Sequence, residues 1–205
     1  MSLTSSIIEK FITFHKSVLD LGGGSMMKTL VNLYKNNKGL DKLVVLDKEQ
    51  KYYGFISLLK AELGIDNIEA IKLDSKKFSY LQNDIIEGIA NIDEKFDIIV
   101  LSNILHFFKE SDRKSILEWC KLKLNNNGIL FIRANHSENQ SIINSAINKI
   151  TFENEIRYSD NFDKDYFLLE EEEVRNNLSS LIELKEAYER NHENFSMIFK
   201  KENKL

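Results

Sequence analysis

Val18-Leu19-Asp20-Leu21-Gly22-Gly23-Gly24-Ser25, followed by Leu43-Val44-Val45-Leu46-Asp47, decides how this chain is read. An apolar strand runs into a glycine turn, a helix-length segment follows, and a second apolar strand stops at a carboxylate. Glycines let a backbone turn sharply and approach a ligand closely. Gly24 and Asp47 are 23 positions apart, near the roughly 20 that separate a glycine loop from the acid that grips a ribose. The layout is that of a site for a nucleoside. An unliganded strand-to-helix turn uses the same glycines, and an incidental surface acid can also end a strand, so the remaining segments carry the decision.

Length and composition set the frame. With 205 residues, 42% of them hydrophobic and 10% aromatic, the chain suits one α/β domain over 1–205 with a full core. Cys120 is the sole cysteine. It excludes an internal disulfide and a cysteine zinc cluster, and with no signal peptide or bilayer-length apolar run it leads to the expectation of a cytoplasmic protein. Proline is absent, where usage near 5% predicts about ten. The net charge of −4 is uneven: residues 153–173 hold nine acids and two bases, which is −7, leaving +3 elsewhere. A polyanion is repelled from such a face, so nucleic acid is disfavoured as a partner.

Outward from the opening stretch, the periodicity predicts an N-terminal helix within 1–16, strand 17–21, helix 25–37, strand 42–46, helix 49–63, strand 67–73 and helix 76–90. Phe96-Asp97-Ile98-Ile99-Val100-Leu101 is a continuous apolar run fit for a central strand covered on both faces. Helix 111–124, the turn Asn125-Asn126-Asn127-Gly128, strand 129–132 and helix 138–150 follow. An acidic and aromatic insert at 151–169 and a helix at 170–178 lead to two strands, near 180–189 and 195–200. Alternating strands and helices imply a doubly wound, mostly parallel sheet. The last two strands are too close in sequence for a crossover, so they form an antiparallel hairpin. Seven strands are expected.

Several of these pieces, in this order, give the chain its likeness. Asp20-x-Gly22-x-Gly24, Asp47, the run from Glu62 to Asp74, Phe96-Asp97-Ile98-Ile99-Val100 leading to Ser102-Asn103-Ile104-Leu105-His106-Phe107, and the Leu124–Leu130 turn and strand together resemble the class I S-adenosylmethionine-dependent methyltransferases. The resemblance runs from about Val18 to the C-terminus. It implies S-adenosyl-L-methionine as cofactor, held by Asp20, Gly22, Gly23, Gly24, Asp47, Asp74, Ser75, Ser102 and Asn103. Asp47 then accepts from both ribose hydroxyls, Asp20 orients the methionine end, and Ser102 and Asn103 border the methyl group. For the adenine, Asp74 with Ser75 is preferred, and Asp84 in Leu81-Gln82-Asn83-Asp84-Ile85 is the competing match.

Departures from the family pattern bear on function. Met26 replaces the third glycine of the usual motif, and either fills the core or plugs the cofactor site. With no proline, the chain lacks the Asn-Pro-Pro-aromatic element of enzymes that methylate exocyclic amines of nucleobases. Phe152, Tyr158, Phe162, Tyr166 and Phe167 alternate with acids in the insert, forming either a lid suited to a small or cationic molecule or a simple cover for the sheet edge. His106 is the candidate general base, with structural packing as its alternative, and no catalytic residue is assigned. His15, His136 and His192 have no metal-site spacing, so no metal is expected. The function expected is methyl transfer to a small-molecule acceptor by in-line displacement. A methyltransferase-like binding or regulatory protein is the alternative, and a dehydrogenase fits least.

Overall fold

A computed structural model describes residues 16–22, 42–47, 61, 78–82, 84–146, 148–152, 155–159 and 165–203. Strands β1 (Ser17–Leu21), β2 (Lys42–Asp47), β3 (Phe78–Gln82), β4 (Phe96–Ser102) and β5 (Leu124–Asn135) lie parallel in the order β5-β4-β1-β2-β3. The C-terminal strand, β11 (Asn194–Lys200), joins antiparallel to β5, and the two-residue β10 (Glu189–Arg190) pairs antiparallel with β11. The expected seven-stranded path with its terminal hairpin is therefore present, and a short β9 (Ile182–Glu183) adds to the far end of β11.

The sequence explains the arrangement. Leu19, Leu21, Val44, Leu46, Ile99, Leu101, Leu130 and Ile132 bury one face of the sheet against helices α1 (Ile85–Ala90), α2 (Glu110–Lys123) and α4 (Glu171–Asn177). Val18, Val45, Ile98, Val100 and Phe131 on the opposite face are equally buried, as the unbroken apolar runs require. Helix α2 turns Arg113, Ile116, Leu117 and Cys120 inward at helical spacing. It carries Glu110 and Asp112 in its first turn and Lys121 and Lys123 in its last, matching the helix dipole. Asn127 takes a φ of 60°, the left-handed geometry that asparagine tolerates. At the amino edge, the Asp97 carboxylate accepts from the Lys16 N–H (2.8 Å), the Ser17 N–H (3.0 Å) and the Asn125 amide (2.8 Å), tying three strands together.

Three segments differ from expectation: the strand expected near 180–189 divides into β9, a 3-10 turn at Lys185–Ala187 and β10. The residues expected as one helix at 76–90 divide into β3 and α1; Phe78-Ser79-Tyr80-Leu81 alternates with a period of two and contains aromatic strand formers, a signal stronger than the helical one. The expected strand at 67–73 lies outside the described residues. The expected helix at 138–150 shortens to α3 (Gln140–Ser145), and the segment beyond it forms a separate antiparallel sheet of β6 (Asn148–Phe152), β7 (Glu155–Ser159) and β8 (Asp165–Phe167). The insert is thus a strand meander whose last strand returns toward the carboxyl edge of β4. Among the described residues no helix is long and apolar enough to cross a membrane.

Candidate functional site

Strand register assembles the site. Asp20 pairs with Val45 on β2 and with Val100 on β4, so its side chain shares their face. Asp47, two residues beyond Val45, projects from that face one step nearer the carboxyl edge, as does Ser102, two beyond Val100. Ser102 is in register with Arg133, Arg133 with Ser196, and Ser196 with Glu189. A sheet face that is otherwise apolar therefore ends in a polar row, which is where open α/β sheets hold ligands.

Electrostatics divide this row. Asp20 and Asp47 are both buried, and burial, followed by the charge of Asp47, pushes the Asp20 carboxyl up to about 7. Its Oδ2 has no hydrogen-bond partner among the described residues. Beside Asp47, the Asp20 carboxyl presents a buried oxygen that, among the described residues, meets neither a positive charge nor a donor. A sulfonium and an ammonium flanked by ribose hydroxyls supply both, so the residues present fit the cofactor that the resemblance implies.

The turns beside the acids are tightly built. Gly22 adopts a φ of +85° and its N–H donates to the Leu46 carbonyl at 2.7 Å, locking the end of β1 to β2. A Cβ on Gly22 would stand 2.1 Å from Cγ2 of Ile104. It is a neighbouring side chain that excludes a larger residue here. Asn103 follows β4 with a φ of 57°, and its N–H donates to the Arg133 carbonyl at 2.8 Å. Leu105–Phe107 then form a single 3-10 turn.

His106, in that turn, is buried, and its Nδ1 has no hydrogen-bond partner among the described residues. Its ring lies 4.3 Å from Phe107 and stacks at 5.9 Å, within 9° of parallel, on Tyr166 of β8. Burial pulls its pKa down to about 3, so the imidazole is neutral and a weak base. Of the insert aromatics, Tyr166 reaches the mouth of the site; Phe162 lies outside the described residues. Arg113 secures this end of the insert. Its Nε and Nη2 donate to the two oxygens of Glu173 at 2.6 and 2.8 Å, and Nη1 donates to the Phe108 carbonyl at 2.6 Å.

Of the residues predicted from sequence, Asp20, Gly22, Asp47, Ser102 and Asn103 come together at this edge. Gly23, Gly24, Met26, Asp74 and Ser75 lie outside the described residues. Asp84 stands two residues past β3, the strand beside β2, and caps α1, its Oδ1 accepting from the Ile86 N–H at 2.9 Å. Arg133 and Arg113 were not anticipated. An arginine inside an apolar strand run, as in Ile129-Leu130-Phe131-Ile132-Arg133-Ala134, was the available signal for the first. His136 is structural: its Nδ1 accepts from the Glu138 N–H and its Nε2 lies 3.0 Å from the Asn191 carbonyl. Among the described residues no group of three or more His, Cys, Asp or Glu is placed to hold a metal.

No protein-family model matches the chain, and no curated protein does. Solved structures do. An S-adenosylmethionine-dependent methyltransferase from Clostridium acetobutylicum ATCC 824 superposes with a TM-score of 0.64 at 14% identity, over 98% of this chain and 92% of that one. The N-methyltransferase NodS from Bradyrhizobium japonicum WM9, in complex with S-adenosyl-L-homocysteine, gives 0.59 at 13% identity over 97% and 85%. The 1,6-didemethyltoxoflavin-N1-methyltransferase of Burkholderia thailandensis, with its substrate and S-adenosylhomocysteine bound, gives 0.60 at 13% identity over 97% and 76%. At these identities the likeness is one of fold.

Proposed function

We propose, from a fold shared with the class I S-adenosylmethionine-dependent methyltransferases, that this chain binds S-adenosylmethionine at the carboxyl edge of β1, β2 and β4 and transfers its methyl group to a small molecule. The observation that carries the reading is Asp20: buried, beside Asp47, with an oxygen that lacks a partner among the described residues and a proton affinity raised to about 7. A carboxylate in that condition is built to receive a cation.

In this reading Asp47 takes the ribose hydroxyls, Asp20 the methionine end, and Gly22, Gly23 and Gly24 the backbone approach. Asp84 takes the adenine position, with Asp74 and Ser75 as the alternative pair. Ser102 and Asn103 flank the methyl group. The cofactor supplies a carbon already activated by its sulfonium, so the protein's task is to hold an acceptor in line behind that carbon and to keep water out. The buried floor of valines under the polar row serves exclusion, and the 3-10 turn with Tyr166 above it forms one wall. His106, neutral and weakly basic, contributes shape and packing; the acceptor's nucleophile reaches the site already deprotonated or with a lone pair of its own. The bound didemethyltoxoflavin of the Burkholderia enzyme is consistent with an acceptor of that size. A cytoplasmic location goes with this reading, since a single cysteine gives the chain no internal disulfide of the kind that oxidising compartments favour.

Titration calorimetry with S-adenosylhomocysteine tests the proposal. Saturable heat is expected from the wild type, weakened at least tenfold in Asp47→Ala, which corresponds to about 1.4 kcal/mol or more. No heat from a well-folded wild type would overturn the enzymatic reading in favour of a binding protein on the same fold. A metabolite extract incubated with methyl-labelled cofactor identifies the acceptor.

A further inference from the structure

Beyond the two acids and Ser102, the polar row continues into a cavity of about 410 Å³ where β5 meets the terminal hairpin, a volume that suits a small molecule. Its lining is polar throughout apart from the ring of Tyr188, whose hydroxyl donates to Glu171 at 2.8 Å. The cations along it are engaged. Arg190 donates from Nη2 to Glu138 at 2.6 Å and its Nη1 lies 3.3 Å from Glu171, and Arg133 likewise has a partner. The side chains of Glu189, Asn194 and Ser196 differ from these: among the described residues they make no hydrogen bond or ion pair. All three share one face of the hairpin, since Glu189 is in register with Ser196 and Asn194 stands two residues before Ser196 on β11. Strand geometry spaces their backbones by about 5 Å across the hairpin and about 7 Å along it.

We propose that this cavity binds a neutral sugar ring through Glu189, Asn194 and Ser196. A carboxylate accepts from two hydroxyls, a carboxamide both donates and accepts, and a serine hydroxyl does either. Hydroxyls set around a ring are donors and acceptors at once, so one ligand satisfies all three side chains, whereas an apolar ligand would cover them unpaired. Charge selects against ions. Glu189 repels an anion, and a cation would lie against the guanidinium groups of Arg133 and Arg190. Tyr188, its hydroxyl already committed, offers ring surface on which the C–H face of a sugar can pack. Sugar binding here needs no cofactor, so the cavity and the methyltransferase reading stand or fall separately.

Nuclear magnetic resonance titration of the full chain with D-glucose, D-galactose and D-mannose, each without cofactor, tests the cavity. At least one of the three is expected to shift the Glu189, Asn194 and Ser196 amide signals saturably. The amino and uronic-acid derivatives of that sugar should bind at least fivefold more weakly, the first for its positive charge and the second for its negative one. Glu189→Gln should weaken the neutral sugar at least fivefold, and Asn194→Ala should do the same, so that either variant decides the matter if the other folds poorly. Absence of shifts with all three sugars, a charged derivative that binds as tightly as its parent, or unchanged affinity in both variants overturns the proposal. Sugar shifts without S-adenosylhomocysteine heat would uphold the cavity and remove the methyltransferase reading.

Discussion

Gly22 and Ile104 meet with no room between them: a Cβ on the glycine would lie 2.1 Å from the isoleucine Cγ2. Gly22, at the end of β1, is therefore packed against the residue that follows the β4 turn, with no space for a side chain. Gly22→Ala combines the left-handed strain of a φ of +85° with overpacking, together about 2–4 kcal/mol. Urea unfolding measures that loss. Ile104→Ala in the same background removes the colliding methyl groups and should return part of it, leaving the backbone strain.

Asp20→Asn separates stability from binding. With its folded pKa at about 7 against 3.8 unfolded, Asp20 holds its proton longer in the folded state. Its contribution to stability is fully present below pH 3.8 and is lost as pH rises to about 7. The asparagine variant should therefore melt higher than the wild type at pH 8 without ligand, yet bind S-adenosylhomocysteine at least tenfold more weakly. Wild-type affinity should climb between pH 6 and 8 as the carboxylate ionises, and calorimetry across that range reads the slope.

Arg113→Ala is expected to cost about 3 kcal/mol, because it removes both bonds that a nearly solvent-free guanidinium donates to the Glu173 carboxylate. The same change frees the Phe108 carbonyl beside the 3-10 turn. Denaturant unfolding checks the energy. Limited proteolysis at 148–167, faster in the variant than in the wild type, checks that the meander has lost its anchor.

How legible these features were depended on range of interaction. The apolar runs at Val18–Leu21, Leu43–Leu46 and Phe96–Leu101 announced the parallel strands because both faces of each are buried, and the short connection before Asn194 announced the hairpin. Phe78–Gln82 was obscured because an edge strand has half its surface in solvent: Leu81 is exposed, and the local pattern then reads equally as the start of the α1 helix. The meander at 148–167 was hidden by its charge, since nine acids over 153–173 read as a solvated surface while the pairing of β6, β7 and β8 is decided between segments. Asp47 was legible from its spacing to Gly24, and Asp20 through the family resemblance; that burial and the charge of Asp47 would raise Asp20 required the register. Arg133 depended on the hairpin, which supplies Ser196 and Glu189 from residues more than fifty positions away.

His106 provides the counterpart to Asp20. Its folded pKa of about 3, against 6.5 unfolded, comes from burial; the unfolded chain protonates it first, so its contribution to stability is present above pH 6.5 and is lost as pH falls toward 3. Between pH 3.8 and 6.5 the two groups act with opposite signs, so each offsets part of the other's effect in the wild type. His106→Phe keeps a ring against Phe107 and Tyr166 and removes the polar atom that has no partner among the described residues. Its stability should fall steadily as pH rises from 4 to 7, whereas Asp20→Asn should gain stability from 4 to 6.5. Thermal unfolding of both variants at half-unit intervals tests the assignment. Parallel curves would show that the two sites do not carry the opposing shifts. If methyl transfer is found, His106→Phe should also keep the wild-type shape of its pH–rate profile, since a ring that stays neutral down to about pH 3 contributes no ionisation near neutrality.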